Sequence, residues 1–187
     1  MESNLAPLIE SLRDAPVVDR DGYEYFVHGV TDGIPPLEPD VLRGIAETIA
    51  TRIDPESVDF LIAPEAMGIH HATALSLHTG IPFAVVRKRA YGFPDEVAVH
   101  QETGYGESEL HVNAISEGDR VVVVDDVLSG GNTLRAVVAG LETAGAEILD
   151  VVVVLERTDV DHGELPFAVT SLLEIRVEDG RVIVDRA

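Results

Sequence analysis

The run Val121-Val122-Val123-Val124-Asp125-Asp126-Val127-Leu128-Ser129-Gly130-Gly131-Asn132-Thr133 constrains the fold more than any other part of the chain. Four consecutive β-branched residues offer water no polar face, so the strand predicted over 120–125 must be covered on both sides. Such a strand belongs inside a parallel sheet. Its carboxyl end carries two acids, and a turn of small residues leads into a predicted helix over 133–144 that stops at Gly145. Three more short apolar strands are expected over 58–63, 82–87 and 148–155, with a helix over 68–79 between the first two. Strands alternating with helices imply an α/β fold with a central parallel sheet flanked by helices.

The flanks read differently. A helix near 4–14, a hairpin pairing 17–18 with 23–27 around Asp21-Gly22, a Pro-bounded loop and a helix over 39–52 precede the sheet. At the other end, strands over 171–177 and 181–184 flank Glu178-Asp179-Gly180 as a closing hairpin. Residues 91–109, with Gly92, Pro94, Gly104 and Gly106 among many polar side chains, read as a long mobile loop or ribbon. Repeats, low-complexity tracts and interdomain linkers are not seen, and 187 residues suit one domain.

Charge narrows the partners. Against 34 Asp and Glu stand 13 Lys and Arg, a net charge of −21 that repels nucleic-acid backbones and anionic membrane surfaces. No apolar run approaches the ~20 residues of a membrane span, and the polar opening lacks a signal-peptide core, so a cytoplasmic location is expected. Without Cys there are no disulfides, thiolate catalysis or zinc-finger sites. Twelve of the cations are Arg and one is Lys88. An acidic surface depleted of Lys is what concentrated salt demands, so a halophilic source is expected. The surviving Lys sits in Arg87-Lys88-Arg89, a cluster hard to regard as incidental.

At the end of the Val run, the backbone N–H groups and hydroxyls of Ser129 to Thr133 meet the positive end of the following helix, a ready phosphate cradle. Asp125 and Asp126 would repel a bare phosphate, so they should face sugar hydroxyls or a divalent metal. A ribose phosphate meets both demands. The run resembles the phosphoribosyl pyrophosphate signature of the purine/pyrimidine phosphoribosyltransferases. The resemblance is strongest over 60–158, extends to 23–35, and is closest to the adenine-type enzymes and the archaeal hypoxanthine/guanine-type group.

That resemblance implies a type I-like domain with an N-terminal hood over about 1–38, a core over 39–160 and C-terminal strands over 161–187. It implies transfer of 5-phosphoribosyl from phosphoribosyl pyrophosphate to a purine nitrogen with Mg²⁺, in a homodimer. Asp125 and Asp126 would hold the ribose or metal waters, and Ser129, Gly130, Gly131, Asn132 and Thr133 the 5′-phosphate. Ala66 and Met67, in a loop at 64–68, would reach the pyrophosphate together with Arg87 and Lys88. Tyr105 would lie on a closing loop, and Phe26, Val27, His28 and Leu155 would take the base, with Glu156 and Arg157 beside it. The resemblance thus makes Asp125, Asp126, Lys88 and Tyr105 the catalytic set.

Several positions depart from the family's pattern. Gly130 stands where a Thr hydroxyl is usual, Asn132 where a bare Gly is usual, and Met67 where adenine-type enzymes carry Arg. Gly104 and Ser129 replace acids proposed to move the base proton, which leaves no acceptor assigned, Glu102 being a weak candidate. The identity of the purine stays open, and a nucleotide-binding regulator on the same fold is the alternative reading. P-loop and dinucleotide-binding fingerprints are absent. His71 and His78 share a helical face but no carboxylate completes a metal set with them, so packing or solvated roles are expected for them and for His70.

Overall fold

The computed structural model describes residues 2–20, 22–103 and 106–186. In chain order the elements are α1 (Glu2–Arg13), β1 (Val17–Arg20), β2 (Tyr23–Phe26), α2 (Gly29–Asp32), α3 (Pro39–Ala50), β3 (Phe60–Pro64), α4 (Gly68–Thr79) and β4 (Phe83–Val86). There follow β5 (Val97–Thr103), β6 (Gly106–Val112), β7 (Arg120–Leu128), α5 (Asn132–Ala144), β8 (Glu147–Arg157), β9 (Thr170–Glu178) and β10 (Arg181–Arg186). The central sheet has the order β10-β9-β8-β7-β3-β4, parallel throughout except for the antiparallel β10 edge.

The Val runs are continuous because alternate residues serve two different cores. Val122, Val124, Val152 and Val154 pack with Leu5, Leu8 and Leu12 of α1, Ile45 and Ile49 of α3, and Leu75 of α4. Val121, Val123, Val151 and Val153 pack on the other face with Leu134, Val137 and Leu141 of α5. That second layer also takes Leu110 and Val112 of β6, so the polar stretch expected to be a loop or ribbon is a ribbon. β5 and β6 pair antiparallel from Val97↔Val112 to Thr103↔Gly106. The ribbon lies so close to α5 that a Cβ on Gly140 would meet Val112 Cγ2 at 2.9 Å.

The N-terminal helix contributes to the main core, where it contacts α3 and β10. What covers the carboxyl edge of the sheet is the β1–β2 hairpin with α2, a one-turn helix too short to leave a periodic signal. Among the described residues no helix is long and apolar enough to cross a membrane.

Candidate active site

β3 and β4 step away from the middle of the sheet in one direction, and β7, β8 and β9 in the other. The switch point therefore falls between β3 and β7 at their carboxyl ends, where an open α/β sheet leaves a crevice. Pairing of these strands stops at Ile62↔Val123, while β7 continues to Leu128 against β8. Asp125 and Asp126 lie on the stretch that β3 leaves unpaired, with Asp125 still opposite Val153 of β8.

Asp125 is only 6% exposed, and its Oδ1 accepts the Asp126 N–H at 2.9 Å. The first residue of α4 sits directly on it: a Cβ at Gly68 would fall 2.8 Å from the Val124 carbonyl and 3.1 Å from Asp125 Oδ1. Burial pushes the Asp125 carboxyl up to about 6, against the opposing pull of Asp126 hydrogen bonds and the Lys88 charge. Burial, joined by the neighbouring Asp125 charge, holds Asp126 well above the usual carboxylate range. Among the described residues no group of three or more His, Cys, Asp and Glu could hold a metal. A ligand set built here is thus two carboxylates at most, with the rest supplied by water or substrate.

The cradle follows immediately. Gly131 caps α5 at φ +75°, in the left-handed region that favours glycine. Asn132 opens the helix, and its Oδ1 accepts from Arg135 Nη1 at 3.2 Å, so the side chain that replaces a bare residue here is held by the helix's own arginine. Around Gly130 an added Cβ would meet nothing within 4 Å, so the missing hydroxyl leaves open space. Ser129 Oγ lies 3.2 Å from the Tyr23 hydroxyl, joining cradle to hairpin.

Opposite stands the loop from β3 to α4. Ala66 is exposed, Met67 caps α4 without a side-chain hydrogen bond, and the Glu65-Ala66 peptide is cis. Glu65 splits the cation cluster: its Oε2 lies 3.0 Å from Arg87 Nε and accepts the Lys88 N–H at 3.2 Å. Arg87, expected on the pyrophosphate, pairs with this acid through Nε and lines an apolar groove with Phe83, Tyr91 and Phe93. Lys88 is exposed, has no ion pair among the described residues, and acts electrostatically on Asp125.

The phosphoribosyl transferase domain model matches residues 35–175, and that span holds the acid pair, the cradle and the loop opposite. The chain belongs to the phosphoribosyltransferase family. Its relatives include HGPRTase-like protein 3 of Haloterrigena turkmenica, 66% identical over 98% of this chain and 99% of the relative. The hypoxanthine/guanine phosphoribosyltransferase of Methanothermobacter thermautotrophicus is 53% identical over 97% of this chain and 95% of its own. Among solved structures, adenine phosphoribosyltransferase from Saccharomyces cerevisiae superposes with a TM-score of 0.79 at 22% identity, over 92% of this chain and all of that one. The enzyme of the same name from Thermoanaerobacter pseudethanolicus gives 0.75 at 24%, over 90% and 98%. These confirm the type I fold, and the family expected from the motifs is the family found.

In this phosphoribosyltransferase the hood is locked by Arg157, a residue that sequence reasoning noted only in passing. Its guanidinium is buried, grips Asp159 through two hydrogen bonds of 2.8 and 2.6 Å, and donates to the Tyr23 hydroxyl at 3.2 Å. It also lies 5.3 Å from the Tyr23 ring centre and 5.8 Å from that of Phe26. Of the four residues expected at the base, Phe26 is 4% exposed beneath this arginine, and Leu155 is sealed in the core with no surface of its own. His28 caps α2, its Nδ1 accepting from Val30 N at 3.2 Å and its Nε2 lying 3.0 Å from Ser11 Oγ. The backbone donors of both Val27 and His28 are occupied, by Pro16 O and Asp32 Oδ2. Tyr105 lies outside the described residues, as does the Glu102 side chain. Tyr23, Glu65 and Arg135 were not singled out from sequence, although each is an ionisable side chain within or just beside a segment that was.

Proposed function

We propose that the chain is a purine salvage phosphoribosyltransferase that moves the 5-phosphoribosyl group of phosphoribosyl pyrophosphate onto a purine nitrogen and releases pyrophosphate. The observation that carries this reading is the placement of Asp125 and Asp126 between an open Gly-rich cradle and the exposed Lys88, at the switch point of the sheet. The 5′-phosphate lies at the start of α5, held by the backbone of Gly130 and Gly131 and by Thr133. Asp125 and Asp126 hold the ribose hydroxyls, and Lys88 stabilises the charge that grows on the departing pyrophosphate. A two-carboxylate donor set suits Mg²⁺, which takes one or two carboxylates and fills its octahedron with water and substrate oxygens. When bound, Mg²⁺ neutralises charge on the pyrophosphate. The base enters between the hood and the end of β8, where Tyr23 and Arg157 close the gap to Ser129.

The purine specificity follows the relatives named for hypoxanthine and guanine. Family resemblance supports a homodimer, and the sequence supports a cytoplasmic location. Incubation with Mg²⁺, phosphoribosyl pyrophosphate and each purine in turn, in concentrated KCl, should release pyrophosphate with at least one base. Saturable binding of phosphoribosyl pyrophosphate without release with any of them would replace the enzyme by a regulator. A monomer by light scattering under those conditions would remove the dimer.

A further inference from the structure

We propose that Arg135 is a positioning residue of the cradle: its guanidinium holds the Gly130 carbonyl back and thereby presents the Gly131 N–H to the 5′-phosphate. This rests on reading that turn as the phosphate site. Arg135 lies on the second turn of α5 and reaches backwards. Nη1 donates to the Gly130 carbonyl at 3.0 Å and to Asn132 Oδ1 at 3.2 Å. Nη2 donates to the carbonyls of His162 and of Glu164, the latter at 3.3 Å. One planar group therefore ties the cradle to a turn 27 residues further along the chain.

The direction of the Gly130 carbonyl decides what the turn can bind. The Gly130-Gly131 peptide is trans, so its C=O and N–H point in opposite senses. With the oxygen fixed on Arg135, the Gly131 N–H faces the other way, and among the described residues it has no hydrogen-bond partner. If the peptide turned over, a carbonyl oxygen would face the phosphate instead, and an attractive contact would become a repulsive one. Two glycines leave little else to oppose that rotation. The fit of the guanidinium is close: a Cβ on Gly131 would meet Nη1 at 2.9 Å, and one on Gly163 would meet Nη2 at 3.3 Å. Lys offers one ammonium where the clamp needs two nitrogens on opposite sides.

The test compares wild type, Arg135→Met, which keeps an apolar stem, and Arg135→Lys, by calorimetry in concentrated KCl with Mg²⁺. Ribose 5-phosphate probes the cradle and inorganic pyrophosphate probes the opposite loop. Arg135→Met should weaken ribose 5-phosphate on the order of tenfold, the usual effect of losing a charge-assisted hydrogen bond, and leave pyrophosphate binding and the melting temperature near wild type. Arg135→Lys should fall between. Unchanged ribose 5-phosphate affinity in Arg135→Met overturns the proposal. So does a variant that unfolds or loses both ligands together, since Arg135 would then be a structural strut. If wild type itself binds neither ribose 5-phosphate nor phosphoribosyl pyrophosphate, the reading of the cradle fails first. If wild type binds and Arg135→Met binds equally, only the clamp fails.

Discussion

Asp125 and Asp126 work against the fold that holds them. Both carboxyls are raised, chiefly by burial, so between the ordinary value of 3.8 and about 6 the folded chain binds more protons than the unfolded one. Stability from this pair therefore falls as pH rises through that window, and Asp126, held well above the usual carboxylate range, extends the fall further. The double variant Asp125→Asn with Asp126→Asn should melt no lower than wild type at pH 7, and higher if the amides keep the Asp126 N–H contact. Its advantage should shrink toward pH 4, and it should lose Mg²⁺-dependent binding of phosphoribosyl pyrophosphate. A double variant that melts well below wild type at pH 7 would make the pair structural. Lys88 offers the complementary experiment. It is exposed and unpaired among the described residues, so Lys88→Ala should change stability by no more than about 0.5 kcal/mol. It should raise the KM for phosphoribosyl pyrophosphate far more than that for the purine and lower kcat. Because Lys88 opposes the rise of the Asp125 pKa, its loss should also move any limb of the pH–rate profile that reports this pair to higher pH. An unchanged KM for phosphoribosyl pyrophosphate would end its assignment.

Elements differ in how plainly the sequence announced them. The strands were readable because a Val run buried on both faces has few alternatives, and the acid pair was readable because it ends such a run. The ribbon was half readable: its apolar residues alternate with polar ones, a pattern also compatible with an irregular loop. Arg87 and Lys88 were readable as a cation cluster after a strand, but the acid that pairs with Arg87, Glu65, comes from the neighbouring strand's end and left no local signal. Arg135 was invisible because its partners at 162–164 are distant in sequence. The one-turn α2 was unreadable for lack of length, and its support comes from buried histidines. His28 caps it, and His71 Nε2 lies 3.3 Å from the Val30 carbonyl, with the His70 ring 3.9 Å away. Packing roles were expected for His70 and His71, and burial holds both neutral, with His71 lowered to about 3. Burial also lowers His28, with the Asp32 charge pulling the other way. A base with a depressed folded pKa adds stability that is present above the unfolded value of 6.5 and lost as pH falls below it. The histidine contribution therefore slopes downward in stability from pH 7 to 5, against the opposite slope from Asp125 and Asp126. His28→Asn keeps an acceptor for the cap but cannot titrate, so it should flatten that slope by up to about 1.4 kcal/mol per pH unit. An identical slope in the variant would mean that His28 does not contribute.

At the scale of the whole molecule the unbalanced quantity is charge. Several arginines already have acidic partners: Arg43 with Asp40, Arg87 with Glu65, Arg120 with Asp59, Arg157 with Asp159, and Arg176 with Glu178 and Asp185. With 13 cations against 34 acids, most carboxylates are left facing one another across the surface. Two effects of salt then oppose each other. Screening weakens exposed pairs such as Arg120 with Asp59, each about 40% exposed, but solvent-exposed pairs contribute little to stability in the first place. It also weakens the mutual repulsion of the excess acids, which is summed over the whole surface and grows with the square of the net charge. Repulsion is the larger quantity, so stability should rise with salt. The melting temperature should climb steeply from ~0.1 M KCl, where the screening length is about 10 Å, and level off near ~3 M, where it is below about 3 Å. NaCl should match KCl over the lower part of that range, because screening depends on ionic strength, while sucrose at equal osmolality should not reproduce the rise. A flat or falling curve would show that the acids are balanced within the fold and would remove the case for a halophilic protein. A rise matched by sucrose would assign the effect to hydration of the folded surface rather than to charge.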